Sequence, residues 1–263
     1  QLQQAASEPE FFLLYEGGEV TDELRRSLTR VRVGPQVKEI ANGAFRYCVR
    51  LTELQFNEGL EVIGEHSFSD CTSLRSVTLP PSVTRLGQWA FYRCSGLVEL
   101  QLNEGLWIIG DCAFENCSAL RSVTIPSTVT EFGANAFCGC TALRSLTLPS
   151  SVTELRGSAF NLCSGLVELQ LKEGLQVIGA HAFAFTALQS VTLPPSLTEL
   201  GEKAFCGCGN LAEVLFNKGL QTIGLGAFHL CSALRSVTMP STVTELGSYA
   251  FCHCSNLVEL QLN

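Results

Sequence analysis

The sequence predicts an α/β-type solenoid with one short parallel strand in each repeat of about 23 residues. A small residue followed by Phe recurs ten times, at a constant spacing of 23 residues with a single spacing of 22. Apolar residues and cysteines keep a fixed phase around each of these sites, and such self-similarity is the signature of a stacked array. The recurring phenylalanines are Phe45, Phe68, Phe91, Phe114, Phe137, Phe160, Phe183, Phe205, Phe228 and Phe251.

Residues 74–94 show the order of elements within one repeat. Leu74, Val77 and Leu79 end in an apolar alternation of period two, which indicates a short strand. Pro80 cannot donate a hydrogen bond to a sheet, so we expect it to end that strand. Leu86 then returns to the interior, ahead of the next turn.

A glycine follows this inward leucine at one phase in eight repeats, which predicts either a positive φ or a close approach of two backbones. Arg156 takes the place of this glycine in one repeat and Gly157 follows it, so we expect that repeat to bend differently. The eight glycines are Gly64, Gly87, Gly110, Gly133, Gly179, Gly201, Gly224 and Gly247.

Two types of repeat alternate along the chain. The first reads Leu-Arg-Ser-Val-Thr-Leu-Pro, as at Leu74, and the second reads Leu-Val-Glu-Leu-Gln-Leu-Asn, as at Leu97. The alternation breaks once, where Leu120 and Leu143 begin two repeats of the first type in succession. Duplication of a 46-residue unit explains the pattern.

The segment 1–30 lacks the repeat and is predicted to form an N-terminal cap. A strand is expected over residues 11–15, a turn at Gly17 and Gly18, and a short helix that begins after Thr21 and runs to Leu28. Residues 31–263 hold about ten repeats. No polar cap follows the last strand, so we expect the array to be truncated at this point or to continue.

The composition excludes two classes of partner. The net charge is −8 and no Lys/Arg cluster appears, so we expect no nucleic-acid binding. The sequence has no run of 18 apolar residues, so we expect no membrane span. Residues 1–10 lack the features of a signal peptide.

Nine of the 13 cysteines lie three residues after the recurring Phe and should form a ladder of buried, reduced thiols. Reduced thiols predict an intracellular, reducing compartment. We expect Cys112, Cys138, Cys206 and Cys252 to be surface thiols. The ladder consists of Cys48, Cys71, Cys94, Cys117, Cys140, Cys163, Cys208, Cys231 and Cys254.

Neither catalysis nor a cofactor is predicted. The Cys-x-Cys pairs are separated by too many coils to converge on one metal ion. No Ser–His–acid or Cys–His set shares one phase in neighbouring repeats, as a catalytic site in a stacked array would require. We therefore expect a protein without enzymatic activity, metal or cofactor.

The pattern Leu-x-x-Val-x-Leu-Pro-x-x-Val-x-x-Leu-Gly-x-x-Ala-Phe-x-x-Cys resembles the BspA-like class of leucine-rich repeats, from about residue 31 to the end. The resemblance implies a leucine-rich-repeat superhelix, curved and right-handed, with a parallel sheet on its concave side. The resemblance also implies a binding function, since relatives of this class are associated with adhesion. A cell-surface or secreted location is therefore the alternative to an intracellular one.

The candidate binding surface comprises outward strand residues together with exposed aromatic side chains, which are typical anchors of interfaces. A protein partner is predicted, and a glycan is possible. The alternatives are a structural protein that associates end to end through its last repeat and, less favoured, an ice- or mineral-binding surface. The strand candidates are Glu53, Gln55, Arg75, Thr78, Glu99, Gln101, Arg121, Arg144, Glu168 and Gln170, and the aromatic candidates are Trp89, Tyr92 and Trp107.

Overall fold

A computed structural model describes residues 12–262 as a parallel β-solenoid of about ten coils. Each coil has three sides, which we name the strand face, the short-strand face and the turn face. Within the described residues the only helix is α1 (Asp22–Ser27), so the expected α/β character is not confirmed. Short β-segments and turns take the place of the helix that an α/β repeat would contain.

The strand face carries the strands that the alternating apolar pattern predicts. Numbered along the chain, they are β1 (Phe12–Tyr15), β2 (Arg30–Val33), β4 (Glu53–Gln55), β6 (Ser76–Thr78), β8 (Glu99–Gln101), β11 (Ser145–Leu148), β13 (Glu168–Leu171), β15 (Ser190–Thr192), β17 (Glu213–Leu215), β19 (Ser236–Met239) and β21 (Glu259–Leu262). Ser122 forms only an isolated bridge to Glu99.

The short-strand face carries a second strand in each coil, which the expectation of one strand per repeat missed. These two-residue strands are β3 (Glu39–Ile40), β5 (Val62–Ile63), β7 (Arg85–Leu86), β9 (Ile108–Ile109), β10 (Glu131–Phe132), β12 (Glu154–Leu155), β14 (Val177–Ile178), β16 (Glu199–Leu200), β18 (Thr222–Ile223) and β20 (Glu245–Leu246). They form two five-stranded parallel sheets, which end at β10 and restart at β12.

Pairing on the strand face follows the alternation of repeat types. A strand of the first type pairs with the following strand of the second type, as β6 does with β8 and β15 with β17. Asn103 ties one such pair together, because its Nδ2 donates to the Val83 carbonyl of the preceding coil at 3.1 Å. Asn217 makes the equivalent bond to the Leu197 carbonyl. The face is therefore a series of short sheets, where the resemblance implied one continuous sheet.

The turn face contains the recurring phenylalanines, and its backbone links every coil to the next. The Phe91 N–H donates to the Ala113 carbonyl at 2.8 Å, and the Phe114 N–H to the Ala136 carbonyl at 2.8 Å. Residues two before and two after each Phe have a positive φ, as Trp89 (53°) and Arg93 (56°) do. None of these residues is β-branched, consistent with the steric cost of that conformation for Val, Ile or Thr.

The phenylalanines form one continuous stack through the interior, which confirms the stacking predicted from the sequence. Nine of the ten are fully buried. Consecutive ring centroids lie 5.0–5.6 Å apart, with interplanar angles of 18° or less. At its N-terminal end Tyr15 packs edge-on against Phe45, at 4.9 Å.

The N-terminal segment has the predicted elements. Thr21 is the N-cap of α1 and its Oγ1 accepts a bond from the Leu24 N–H. Gly17 and Gly18 have φ of 101° and 86°, and β1 pairs in parallel with β2. Phe11, with which the strand was expected to begin, lies outside the described residues, and a capping role for the segment stays a prediction.

The nine ladder cysteines are buried, as predicted. The Cys94 thiol, for example, donates to the carbonyl of Phe68 in the preceding coil at 3.1 Å. The prediction of surface positions for Cys112, Cys138 and Cys206 was wrong, because all three are buried. Burial is the main reason that the pKa of Cys112 rises to about 12 and that of Cys138 to about 11.

The glycines after the inward leucines allow a close approach of neighbouring backbones, and they do not have a positive φ. A Cβ added at Gly87, Gly110 or Gly133 would lie within 3.0 Å of backbone atoms in the preceding coil. At this contact the Gly133 N–H donates to the Ile109 carbonyl at 2.9 Å. Glycine is therefore required for the short strands of adjacent coils to meet.

The ladder of the short-strand face stops between β10 and β12, where Arg156 replaces this glycine. Arg156 has a Cβ where the other coils have none, so its backbone cannot approach Gly133 in the same way. Among residues 12–262, no backbone bond joins Thr153 or Arg156 to the preceding coil. The expectation that this repeat differs is thus met by an open junction, which we name the 133/156 junction.

No helix within residues 12–262 has the length and apolarity that a membrane crossing requires.

Candidate recognition surface

The strand face presents two outward columns of polar side chains over a buried apolar column. In β8, Glu99 and Gln101 are exposed while Leu100 between them is buried, and β6 places Ser76 and Thr78 outward around Val77 in the same way. The parallel register sets Ser76 beside Glu99 and Thr78 beside Gln101. Nine of the ten strand candidates lie on or directly before these strands, and Arg121 directly precedes the isolated bridge of Ser122. All ten but the half-buried Glu53 are exposed.

Hydrogen bonds link some of these outward side chains across coils. Arg30 Nε donates to Glu53 Oε2 at 2.8 Å, and Thr78 Oγ1 approaches Gln101 Oε1 at 3.4 Å. The hydrogen bond from Arg30 is the main reason that the pKa of Glu53 lies below its usual value. This face therefore presents partly fixed hydrogen-bonding groups rather than independent side chains.

Arg75, Arg121 and Arg144 flank the outward columns of the strand face. Each is exposed, and within the described chain none pairs with a glutamate. Their carbonyls instead serve the ladder, as when the Val98 N–H donates to the Arg75 carbonyl at 2.8 Å. Their guanidinium groups consequently face solvent.

The turn face holds Trp89 and Tyr92, both half-buried. The Trp89 ring stacks on His66 with a centroid distance of 4.7 Å and an interplanar angle of 4°. The Arg93 guanidinium lies 5.2 Å from the centre of the Tyr92 ring. Desolvation is the largest cause of the lowered pKa of His66, and the nearby Arg46 adds to it. The neutral imidazole is therefore favoured in this stack.

Trp107 lies apart from the other two aromatic candidates. It directly precedes β9 on the short-strand face, its carbonyl accepts the Thr130 N–H at 3.0 Å, and it is 61% exposed. The structure thus distributes the predicted site residues over all three sides of the coil. They do not form a single patch.

A groove at the 133/156 junction was not predicted from the sequence. The groove is lined by Arg85, Ile108, Asp111, Glu131, Gly133 and Arg156. Arg156 Nη1 reaches back over one coil to within 3.9 Å of Asp111 Oδ1. The break in the glycine phase was the signal in the sequence, although a groove does not follow from it without coordinates.

Within residues 12–262, no three or more His, Cys, Asp or Glu side chains come together in a way that could hold a metal ion.

Comparison with known proteins identifies the repeat. The family described as "BspA type Leucine rich repeat region" matches residues 25–144 and 132–258, in six copies. The comparison with curated protein sequences gives no match.

Among solved structures, the chain is similar to a leucine-rich repeat protein from Bacteroides ovatus ATCC 8483. The identity is 27% and the TM-score 0.66, over 90% of this chain and 74% of the other. It is also similar to a leucine-rich cell surface protein from Faecalibacterium prausnitzii A2-165, with 26% identity and a TM-score of 0.55, over 90% and 73% of the two chains. The pneumococcal vaccine antigen PcpA shares the fold at 24% identity and a TM-score of 0.57, over 89% and 68%. The chain belongs to the BspA-type leucine-rich repeat family.

Proposed function

We propose that this protein is a non-catalytic recognition module, which binds a protein partner along the strand face. The observation that carries the proposal is the pair of outward polar columns, held in register over the apolar core. Membership of a repeat family whose architecture suits interaction or scaffolding supports the same conclusion.

The character of the strand face favours a polypeptide partner with hydrogen-bonding groups. Glu99, Gln101, Glu168 and Gln170 are exposed on β8 and β13, and their backbones are fixed by parallel pairing. A rigid surface loses little conformational entropy on binding, which preserves affinity. The exposed Arg75, Arg121 and Arg144 beside them add positive charge, so a partner segment with both carboxylates and amides would match this face.

Affinity capture with purified protein tests the proposal. One variant carries Glu99→Ala, Gln101→Ala, Glu168→Ala and Gln170→Ala on the strand face. Its matched control carries Glu154→Ala and Glu199→Ala, which are exposed on the short-strand face. We expect wild type and control to recover the same partner and the strand-face variant to lose it.

Two further arms separate the remaining possibilities. Recovery of the partner by the strand-face variant, together with its loss in a Trp89→Ala/Tyr92→Ala variant, would move the contact to the turn face and refute the strand-face proposal. Light scattering over a range of concentrations tests the alternative role in end-to-end assembly. A mass that grows with concentration and no captured partner would favour assembly over recognition.

For location, the unpaired thiols support an intracellular, reducing compartment. A similar protein from Faecalibacterium prausnitzii is described as a cell surface protein, which supports the alternative. Immunodetection of the native protein in intact and permeabilised cells distinguishes the two, and we expect a signal only after permeabilisation.

A further inference from the structure

We infer that the groove at the 133/156 junction, together with the exposed Trp107 beside it, is a binding site for a neutral oligosaccharide. The inference concerns the short-strand face and does not depend on protein recognition by the strand face.

This junction leaves two backbone N–H groups without partners in the described part of the chain. In the other coils of this face, two N–H groups bond back to the preceding coil, namely that of the glycine and that of the residue three positions before it. The Gly133 N–H donates in this way to the Ile109 carbonyl, and the Thr130 N–H to the Trp107 carbonyl. At the junction the N–H groups of Thr153 and Arg156 have no such bond within the described structure. Arg156 lines the groove, so its unpaired N–H is available to a hydroxyl group of a ligand there.

A buried side chain at the same coil junction also lacks its usual partner. Ser82, Ser196 and their equivalents donate to a leucine carbonyl of the preceding coil, for example Ser82 Oγ to the Leu60 carbonyl at 2.5 Å. The equivalent Ser151 Oγ is buried and has no hydrogen-bond partner. Two repeats of the first type meet here, so the break in the alternation of repeat types lies at the same junction as the missing hydrogen bonds.

The groove is lined by equal numbers of positive and negative side chains. Arg85 and Arg156 contribute two positive charges, and Asp111 and Glu131 contribute two negative charges. An ionic ligand would be attracted by one pair and repelled by the other. An uncharged ligand rich in hydroxyl groups can instead accept bonds from the guanidinium groups and donate bonds to the carboxylates.

Trp107 adjoins the groove through its backbone. It directly precedes Ile108, which lines the groove, and its carbonyl is bonded to the N–H of Glu131, another lining residue, at 3.2 Å. Trp107 is 61% exposed, more than any other aromatic residue on this face of the described chain. An exposed indole supplies a flat apolar surface against which the C–H face of a sugar ring can pack, while the hydroxyl groups bond in the groove.

Fluorescence titration tests the inference directly, because the chain has two tryptophans. In a Trp89→Phe variant, the emission reports on Trp107 alone. The probes are neutral oligosaccharides of β-1,4-glucose, α-1,4-glucose, β-1,4-N-acetylglucosamine and α-mannose, with a sulfated glycosaminoglycan fragment as the charged comparison. We expect at least one neutral probe to shift or quench the emission saturably, and the sulfated probe to have no effect.

Variants then locate the binding. Arg156→Gly, which restores the common glycine, and Glu131→Gln should each weaken binding by about tenfold, the effect of losing one good polar contact. The strand-face control Thr192→Ala should leave it unchanged. In a Trp107→Phe variant, where Trp89 is the remaining tryptophan, the same probe should leave the emission unaltered.

Circular dichroism spectra that match wild type show that the variants fold. Absence of a saturable response to every neutral probe in the Trp89→Phe variant, checked by saturation-transfer NMR on the unmodified protein, would overturn the inference. Binding that persists in both Arg156→Gly and Glu131→Gln would do the same.

Discussion

Two junctions between neighbouring coils show what holds this solenoid together. At Gly133 the backbones on the short-strand face touch and the Gly133 N–H bonds to Ile109, whereas at Arg156 the corresponding contact is absent. The turn face is continuous across both. Phe137 and Phe160 stack at 5.5 Å and the Phe137 N–H donates to the Ala159 carbonyl at 2.9 Å. The turn face joins every coil, whereas the short strands of adjacent coils meet only where the glycine is present.

Raising the pH should destabilise the turn face, which is continuous across both junctions. Desolvation by burial raises the pKa of Cys71, Cys117, Cys140, Cys163 and Cys208, so these thiols release their protons more readily in the unfolded chain. Their contribution to the free energy of unfolding is intact while the pH is below the ordinary thiol pKa of 9.0, and it is lost as the pH rises above that value. For each such thiol, the free energy of unfolding falls by up to ~1.4 kcal/mol per pH unit above that value.

Urea unfolding at pH 8 and pH 10 measures this effect, and we expect a large drop in the free energy of unfolding, which should be the largest change among these tests. A variant in which Cys117 and Cys140 are alanine should lose less stability over the same interval. Equal drops in variant and wild type would contradict the assignment to the thiols.

Breaking the Phe stack should be the most damaging single substitution. Phe114 is fully buried between Phe91 and Phe137, so Phe114→Ala removes two ring contacts and leaves a cavity. We expect a loss of about 3–5 kcal/mol in the free energy of unfolding, measured by urea denaturation. The exposed Phe185→Ala serves as the control and should cost far less.

Making the first junction resemble the second tests the role of glycine. The new Cβ in Gly133→Ala would lie within 3.0 Å of the Gly110 backbone, so the coils must shift. We expect a loss of about 1–3 kcal/mol. The matched control is Gly157→Ala, because a Cβ there would have 3.3 Å to its nearest neighbour, the Ala180 carbonyl oxygen. If both substitutions cost the same in thermal unfolding, the close approach is not what the glycine provides.

The converse change, Arg156→Gly, should have the smallest effect on stability. Closing the junction adds backbone hydrogen bonds worth about 0.5–1.5 kcal/mol each, and a new glycine costs about 0.5–1 kcal/mol in chain entropy. We therefore expect a gain of about 1 kcal/mol or less. Differential scanning calorimetry should show a small rise in Tm, and a fall would indicate that Arg156 stabilises the junction.

Much of this structure follows from sequence pattern, and the remainder depends on contacts between coils. Phase alone predicts the Phe stack, the buried ladder cysteines and the outward columns, because residues at one phase share one environment in an array. Thr21 predicts the start of α1 because an N-cap bonds only to residues close to it in the sequence. The burial of Cys112 and Cys138 could not be predicted, since it depends on side chains of neighbouring coils.

The same limit applies to the strand face and the site. Pairing in twos depends on bonds such as that of Asn103 to the Val83 carbonyl, and no single repeat contains both partners. The candidate residues were chosen as outward positions, which the structure confirms for the strands, but their distribution over three faces depends on where each coil turns. Arg156 stood out in the sequence, whereas the groove beside it depends on Asp111, two coils earlier.

Native-state hydrogen exchange followed by NMR tests the central claim most directly, namely that the turn face runs through the whole array while glycine controls the short-strand face. The amides of Phe137 and Phe114 on the turn face, and of Gly133 and Gly179 on the short-strand face, should be strongly protected, because each is bonded to a neighbouring coil. The Arg156 and Thr153 amides should exchange much faster. Equal protection at Arg156 and Gly133, or rapid exchange at Phe137, would contradict the account.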